Sequence, residues 1–139
     1  MSRKLMWCAL ALCSVLSAPK ASAGESGETF KKGYRGVTLP APKHQLVNLR
    51  VGDRVDVLVT FDAKLKDGKE KVTATILQNV AVLNVSKQEE TIELALNPNE
   101  AQYAVLGVQQ GDTLWYIVRA EGDNEMKPME MASFRKLFR

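Results

Sequence analysis

Few side chains in this chain could carry chemistry by type and spacing. The candidates are His44, the pair Asp53 and Asp56, and the cysteines Cys8 and Cys13. A histidine acts as a catalytic base only beside a nucleophile and an orienting acid, and as a metal ligand only among companions. His44 is the sole histidine and follows Pro40 and Pro42, so it reads as a surface residue. Asp53 and Asp56 could form an acid–base pair or start a calcium site. Asp53 follows Gly52, however, where a carboxylate caps a tight turn, and Asp56 falls on the polar face of the strand that begins at Arg54. Turn and solvent roles are the expectation for both. The sequence contains no Walker or Rossmann glycine motif and no nucleophile elbow. A hydrolase would need a nucleophile and a base that this chain does not assemble. Aromatic residues are only 6% of the chain, which argues against nucleic acid. No catalytic, cofactor-binding or metal residue is assigned, and a non-enzymatic protein is expected.

The first residues set the compartment. Ser2-Arg3-Lys4 is a short positive segment, Leu5 to Leu16 is almost wholly apolar, and Ala21-Ser22-Ala23 supplies small residues for a signal peptidase. The apolar run is about a dozen residues, too short to span ~30 Å of hydrocarbon as a helix. Residues 1–23 are therefore expected to be a cleaved secretory signal, which makes the protein periplasmic with no stable membrane anchor after cleavage. Cleavage would remove Cys8 and Cys13, leaving no disulfide or thiol chemistry. It would also remove Arg3, Lys4 and Lys20, turning the formal charge of +3 into zero. The basic balance is a property of the leader and does not point to nucleic acid or membrane partners. What remains is the size of one domain with an ordinary hydrophobic core.

The elements that must position any binding surface are mostly strands. Residues 24–35 are polar and glycine-containing and read as a flexible lead-in. Val37-Thr38-Leu39 followed by Pro40 and Pro42 suggests an edge strand or an extended arm. Val55, Val57, Val59 and Phe61 fall on one face and Asp56, Leu58 and Thr60 on the other, and Asp67-Gly68 suits a hairpin turn into the alternating run Lys71 to Leu77. Gln78-Asn79 breaks the pattern before Val80 to Val85, which predicts a bulge where the strand turns a corner. Thr91 to Leu96 alternates again. Asn97-Pro98-Asn99-Glu100 has the form of a helix N-cap with a capping box, and Gly107 is the expected stop. A second Gly-Asp turn, Gly111-Asp112, feeds a last strand from Leu114 to Arg119. The fold class expected is mainly β, an α+β chain with one short helix, arranged as a compact β-sandwich or barrel-like domain built from hairpins.

Two segments offer surface for a partner. Trp115 and Tyr116 point to opposite faces of the last strand, so one enters the core and the other is free for a contact. In the tail, residues 124–139, Met131, Phe134, Leu137 and Phe138 fall on one side of a helical wheel beside Arg135, Lys136 and Arg139. That stripe is folded back on the domain, serves as a short partner-docking helix, or, though short for the role, adheres to an anionic membrane surface. The partner-binding candidates are Trp115, Tyr116, Phe134, Leu137 and Phe138. A periplasmic glycan- or peptide-binding module using an exposed aromatic is the alternative from another class.

The order of segments Gly52 to Leu58, Thr75 to Leu83, Ile92 to Gln102 and Gly111 to Arg119 resembles the C-terminal domain of the RcpC/CpaB family of Flp, or Tad, pilus assembly proteins. The Leu77-Gln78-Asn79-Val80 corner and the run Pro98-Asn99-Glu100-Ala101-Gln102 are its more specific parts. The resemblance covers residues 36–123. It implies a non-catalytic role in pilus assembly or secretion, with protein partners that include the outer-membrane secretin, and it supplies no catalytic residues. Members of the family usually carry a membrane anchor and a SAF-type β-clip domain ahead of this region. Here the predicted leader stands in that place.

Overall fold

Alternating β-branched and polar residues carry about half of the described residues into strands. The computed structural model describes residues 31–65, 68–110 and 113–138. The predicted leader, most of the lead-in, Asp67 and the Gly111-Asp112 turn lie outside the described residues. In chain order the elements are β1 (Arg35–Pro40), α1 (Lys43–Leu46), β2 (Arg54–Leu65), β3 (Gly68–Ser86), β4 (Thr91–Leu96), α2 (Pro98–Gln110), β5 (Leu114–Val118), β6 (Ala132–Ser133) and α3 (Phe134–Leu137). The six strands form one antiparallel sheet in the order β1-β4-β3-β2-β5, with β6 added to β3. The mainly β class is what the chain adopts. The arrangement is a single open sheet and not a sandwich or closed barrel, and β1, which ends in Pro40, is an edge strand.

The two runs predicted on either side of Gln78-Asn79 are one strand, β3, bent at a corner. Opposite β2, the pairing shifts between Val57 and Leu58 and again between Val55 and Val57, so β3 carries extra residues around Ile76 and Gln78-Asn79. Asn79 adopts φ +55°, a conformation asparagine tolerates better than most residues. A third shift, between Val82 and Asn84, lies opposite β4. Each bulge bends the strand and adds twist. One long strand can thus pair with β2 along its first half and with β4 along its second.

One face of the sheet is the core. Val55, Val57 and Val59 of β2, Val80 and Val82 of β3, Ile92, Leu94 and Leu96 of β4, and Leu114 and Tyr116 of β5 are buried there. Leu46 of α1, Leu49 in the loop after it, and Ala104 of α2 cover them. The start of α2 is the expected capping box. Asn97 Oδ1 accepts from the N–H groups of Asn99 and Glu100, each at 2.9 Å, and Glu100 Oε2 accepts from the Asn97 N–H at 2.8 Å. Asn97→Ala is expected to lower stability by about 1 kcal/mol in a denaturant titration, while Glu100→Gln, which keeps the reciprocal acceptor, costs less.

Gly107 does not end the helix. Helix α2 continues to Gln110, and Gly107 is buried against the sheet. A Cβ at this position would stand 2.7 Å from Ile76 Cδ1 and 3.3 Å from Leu114 Cδ2. The glycine allows the helix to approach β3 and β5 closely, a packing role that local sequence does not distinguish from a cap.

Candidate functional site

Strand β5 sorts its two aromatics as alternation requires. Tyr116 is 7% exposed and its hydroxyl donates to the Pro40 carbonyl at 2.8 Å, which ties β5 to the end of β1. Trp115 is 46% exposed on the opposite face, edge-to-face with the His44 ring at a centroid distance of 5.9 Å. His44 thus supports the indole from α1. Its neighbour Gln45 does something the sequence did not announce. Its side-chain amide donates to the Leu114 carbonyl and accepts from the Tyr116 N–H, both at 3.0 Å, as an adjoining strand would. The outer edge of β5 is therefore partly covered, so strand addition at this edge meets competition.

Burial pushes the Tyr116 phenol well above its ordinary value. Above about pH 10 the unfolded chain releases this proton while the folded chain keeps it, so stability falls as pH rises. The slope attributable to this group approaches about 1.4 kcal/mol per pH unit. Denaturant titrations of the wild type and Tyr116→Phe at about pH 9 and about pH 11 are expected to show the excess slope only in the wild type.

The corner of β3 is held by a polar network centred on Asp56. Its Oδ1 accepts from the Asn79 N–H at 2.8 Å and from Arg119 Nε at 2.7 Å. The Arg119 side chain is only 8% exposed, and its hydrogen bond to Asp56 holds the guanidinium more firmly protonated than usual. Its other nitrogens donate to the Glu125 carbonyl at 2.7 Å and to Gln78 Oε1 at 3.4 Å. Gln78 in turn donates to the Lys127 carbonyl at 2.8 Å and accepts from the Lys127 N–H at 3.2 Å. A chain of contacts thus runs from Asp56 through Arg119 and Gln78 to the tail. Asp53 caps its turn as expected, accepting from the Arg50 N–H at 2.8 Å. Asp56, expected to face solvent, is the organising acceptor instead. Nothing local marks Asn79 and Arg119 as its partners, because they lie at the β3 corner and just after β5.

The tail is not the single amphipathic helix its periodicity suggests. Met131 precedes β6, and the helical part is the four-residue α3. Pairing of Val72 with Ser133 and of Thr73 with Ala132 wins over helical periodicity there, because it satisfies backbone groups at the β3 edge. Phe134, Leu137 and Phe138 are 65%, 73% and 85% exposed. Phe134 and Leu137 line a shallow groove of about 340 Å³ with Thr60, Thr73, Ala132 and Ser133.

The structure brings most of the candidate residues to one side of the molecule. Trp115 lies directly opposite Leu58, Leu58 opposite Thr75, and Thr60 opposite Thr73, whose hydroxyls share a 2.9 Å hydrogen bond. Residues directly opposite one another share a face, so the band from Trp115 through Leu58 and Thr60 reaches the Phe134–Leu137 groove on the side away from the core. Ile117 extends it toward Asp56. Tyr116 is not part of this surface. It belongs to the core beneath.

A comparison with protein families matches residues 26–114 to the Flp pilus assembly protein RcpC/CpaB family. The chain belongs to the RcpC/CpaB family. Membership places it with Flp pilus assembly and, through that, with protein partners of a cell-envelope pilus machine. The matched region holds β1 to α2 and the first residue of β5, so Asp56, Gln78 and Asn79 lie inside it, and Arg119 and the tail follow it. Neither the curated proteins nor the solved structures contain a match to the chain. Among the described residues, no helix is long and apolar enough to cross a membrane. Nor, among them, do three or more His, Cys, Asp or Glu side chains converge as a metal site would need.

Proposed function

We propose that this RcpC/CpaB protein is a non-catalytic periplasmic accessory of Flp/Tad-type pilus assembly or secretion, and that it works by protein–protein contact with the outer-membrane secretin. The family match supports the setting. The observation that carries the contact is the open face, with exposed Trp115 at one end, exposed Phe134 and Leu137 at the other, and half-buried Leu58 and Thr60 between them. Exposed aromatics supported by rigid neighbours are the usual anchors of an interface. Trp115 has that support from His44 and from β2. Tyr116 contributes from below by fixing β5 to Pro40.

In-cell photocrosslinking with the crosslinker placed at Trp115 or at Phe138, followed by mass spectrometry, tests the reading. Capture of a secretin subunit is expected from both positions. Recovery of soluble periplasmic proteins alone, or of nothing beyond a second copy of this chain, would sink it.

A further inference from the structure

We infer that the outer edge of β3, from Val72 to Gln78, is a strand-exchange site that holds the tail of its own chain and accepts the same tail from a second copy. The register is the first observation. Val72 and Thr73 pair with Ser133 and Ala132, and Lys127 stands as far before Ala132 as Gln78 stands after Thr73. The Gln78 amide meets both the N–H and the C=O of Lys127. The tail is therefore held at two points of the edge, by backbone pairing at Val72–Thr73 and by the Gln78 side chain at Lys127. Pro128, with no N–H to give, and the bulge around Ile76 interrupt the ladder between its two ends.

The second observation is how little apolar burial secures the tail where it lies. Met129, Met131, Phe134 and Leu137 are each more than half exposed. The hold comes from the short β6 pairing, the Gln78 contacts, and Glu70, which accepts from the Arg135 N–H at 3.1 Å and pairs with its guanidinium. All of these can form equally well with the tail of another copy. The connection from β5 turns at residues 120–123, with Gly122 at φ +80° and the Asp123 N–H donating to the Ala120 carbonyl. Opening that turn lets the tail reach across. An exchanged pair would repeat the tail's bonds to β3, losing only those of the opened turn, and bring two sets of exposed Met and Phe side chains together, which offsets the entropy of association.

The inference rests on the register and burial of the tail, not on the pilus reading, and failure to capture a secretin would leave it standing. The test uses full chains in which Cys8→Ser and Cys13→Ser remove the native thiols. One copy carries Thr73→Cys and the other Ala132→Cys, and the two are mixed and oxidised. A double variant with both new cysteines in one chain reports the closed form, and a mixture of Arg50→Cys with Ala132→Cys reports random collision. Because closure within one chain corresponds to millimolar effective concentrations, the mixing is done at about 1 mM protein, and at least ~10-fold more cross-chain product than the collision control is expected. Light scattering at the same concentration should show dimers, and a chain ending at Met126 should not form them. A double variant that closes within its own chain while the mixture gives no excess over the control would overturn the inference. So would a double variant that fails to close at all, since the edge would then not hold the tail.

Discussion

Asp56→Ala is expected to release the tail before it unfolds the domain. The carboxylate accepts from the Asn79 N–H at the β3 corner and from Arg119, and removing it leaves both donors without that partner in a half-buried place. A hydrogen bond to a charged acceptor contributes about 1.5–3 kcal/mol, so loss of the Asn79 contact alone corresponds to roughly 10- to 100-fold in a local equilibrium. Arg119 then no longer orients Gln78, and Gln78 no longer fixes Lys127. Hydrogen exchange by mass spectrometry should show the segment around residues 127–133 exchanging faster by that order, with smaller changes at β4. Asp56→Asn keeps an acceptor for Asn79 but loses the charge that draws Arg119, and should fall between the two. Unchanged protection of the tail in Asp56→Ala would mean that β6 pairing alone holds it.

The second large effect concerns the open face. Trp115→Ala together with Phe134→Ala is expected to weaken partner capture strongly while leaving the fold intact. Both side chains are exposed, Phe134 mostly so, and the core lies on the other side of the sheet. Truncation of a central interface anchor typically costs at least 2 kcal/mol of binding, about 30-fold in affinity. Pull-down of the secretin from detergent extracts, with a denaturant titration of the purified variant beside it, separates the two effects. Binding that survives in a folded double variant would move the contact elsewhere, and the apolar groove between α2 and the β2–β3 ribbon would be the next surface to vary. That groove has a volume of about 320 Å³ and is lined by Phe61, Ile76, Tyr103 and Leu106 among others.

Much of the architecture was legible locally. The period-two alternation of Val55, Val57 and Val59 and of Ile92, Leu94 and Leu96 assigned strands and named the core face, because side-chain direction in a strand depends only on position. Asn97 and Glu100 marked the start of α2 because a cap is a contact between near neighbours. The opposition of Trp115 and Tyr116 was also readable, though not which of them faced inward. The short helix α1 was missed. It follows Pro42 with no side-chain cap hydrogen bond, and it is held by Leu46 in the core and by Gln45 on β5. The end of α2 was misplaced because glycine serves both as a helix stop and as a point of close packing, and only the nearness of Ile76 distinguishes these.

By itself the sequence determined the β-rich class, the strand faces, the capped helix, the corner at Gln78-Asn79 and the segment order that resembles the RcpC/CpaB family. All of these rest on residue types and short spacings. Tertiary structure alone decided that the two runs around the corner are one strand, that Asp56 organises Arg119 and Gln78, that Gln45 covers the β5 edge, and that the tail pairs with β3 instead of forming one helix. Each of these depends on register between distant segments, and the bulges in β3 shift that register by amounts that local periodicity does not encode.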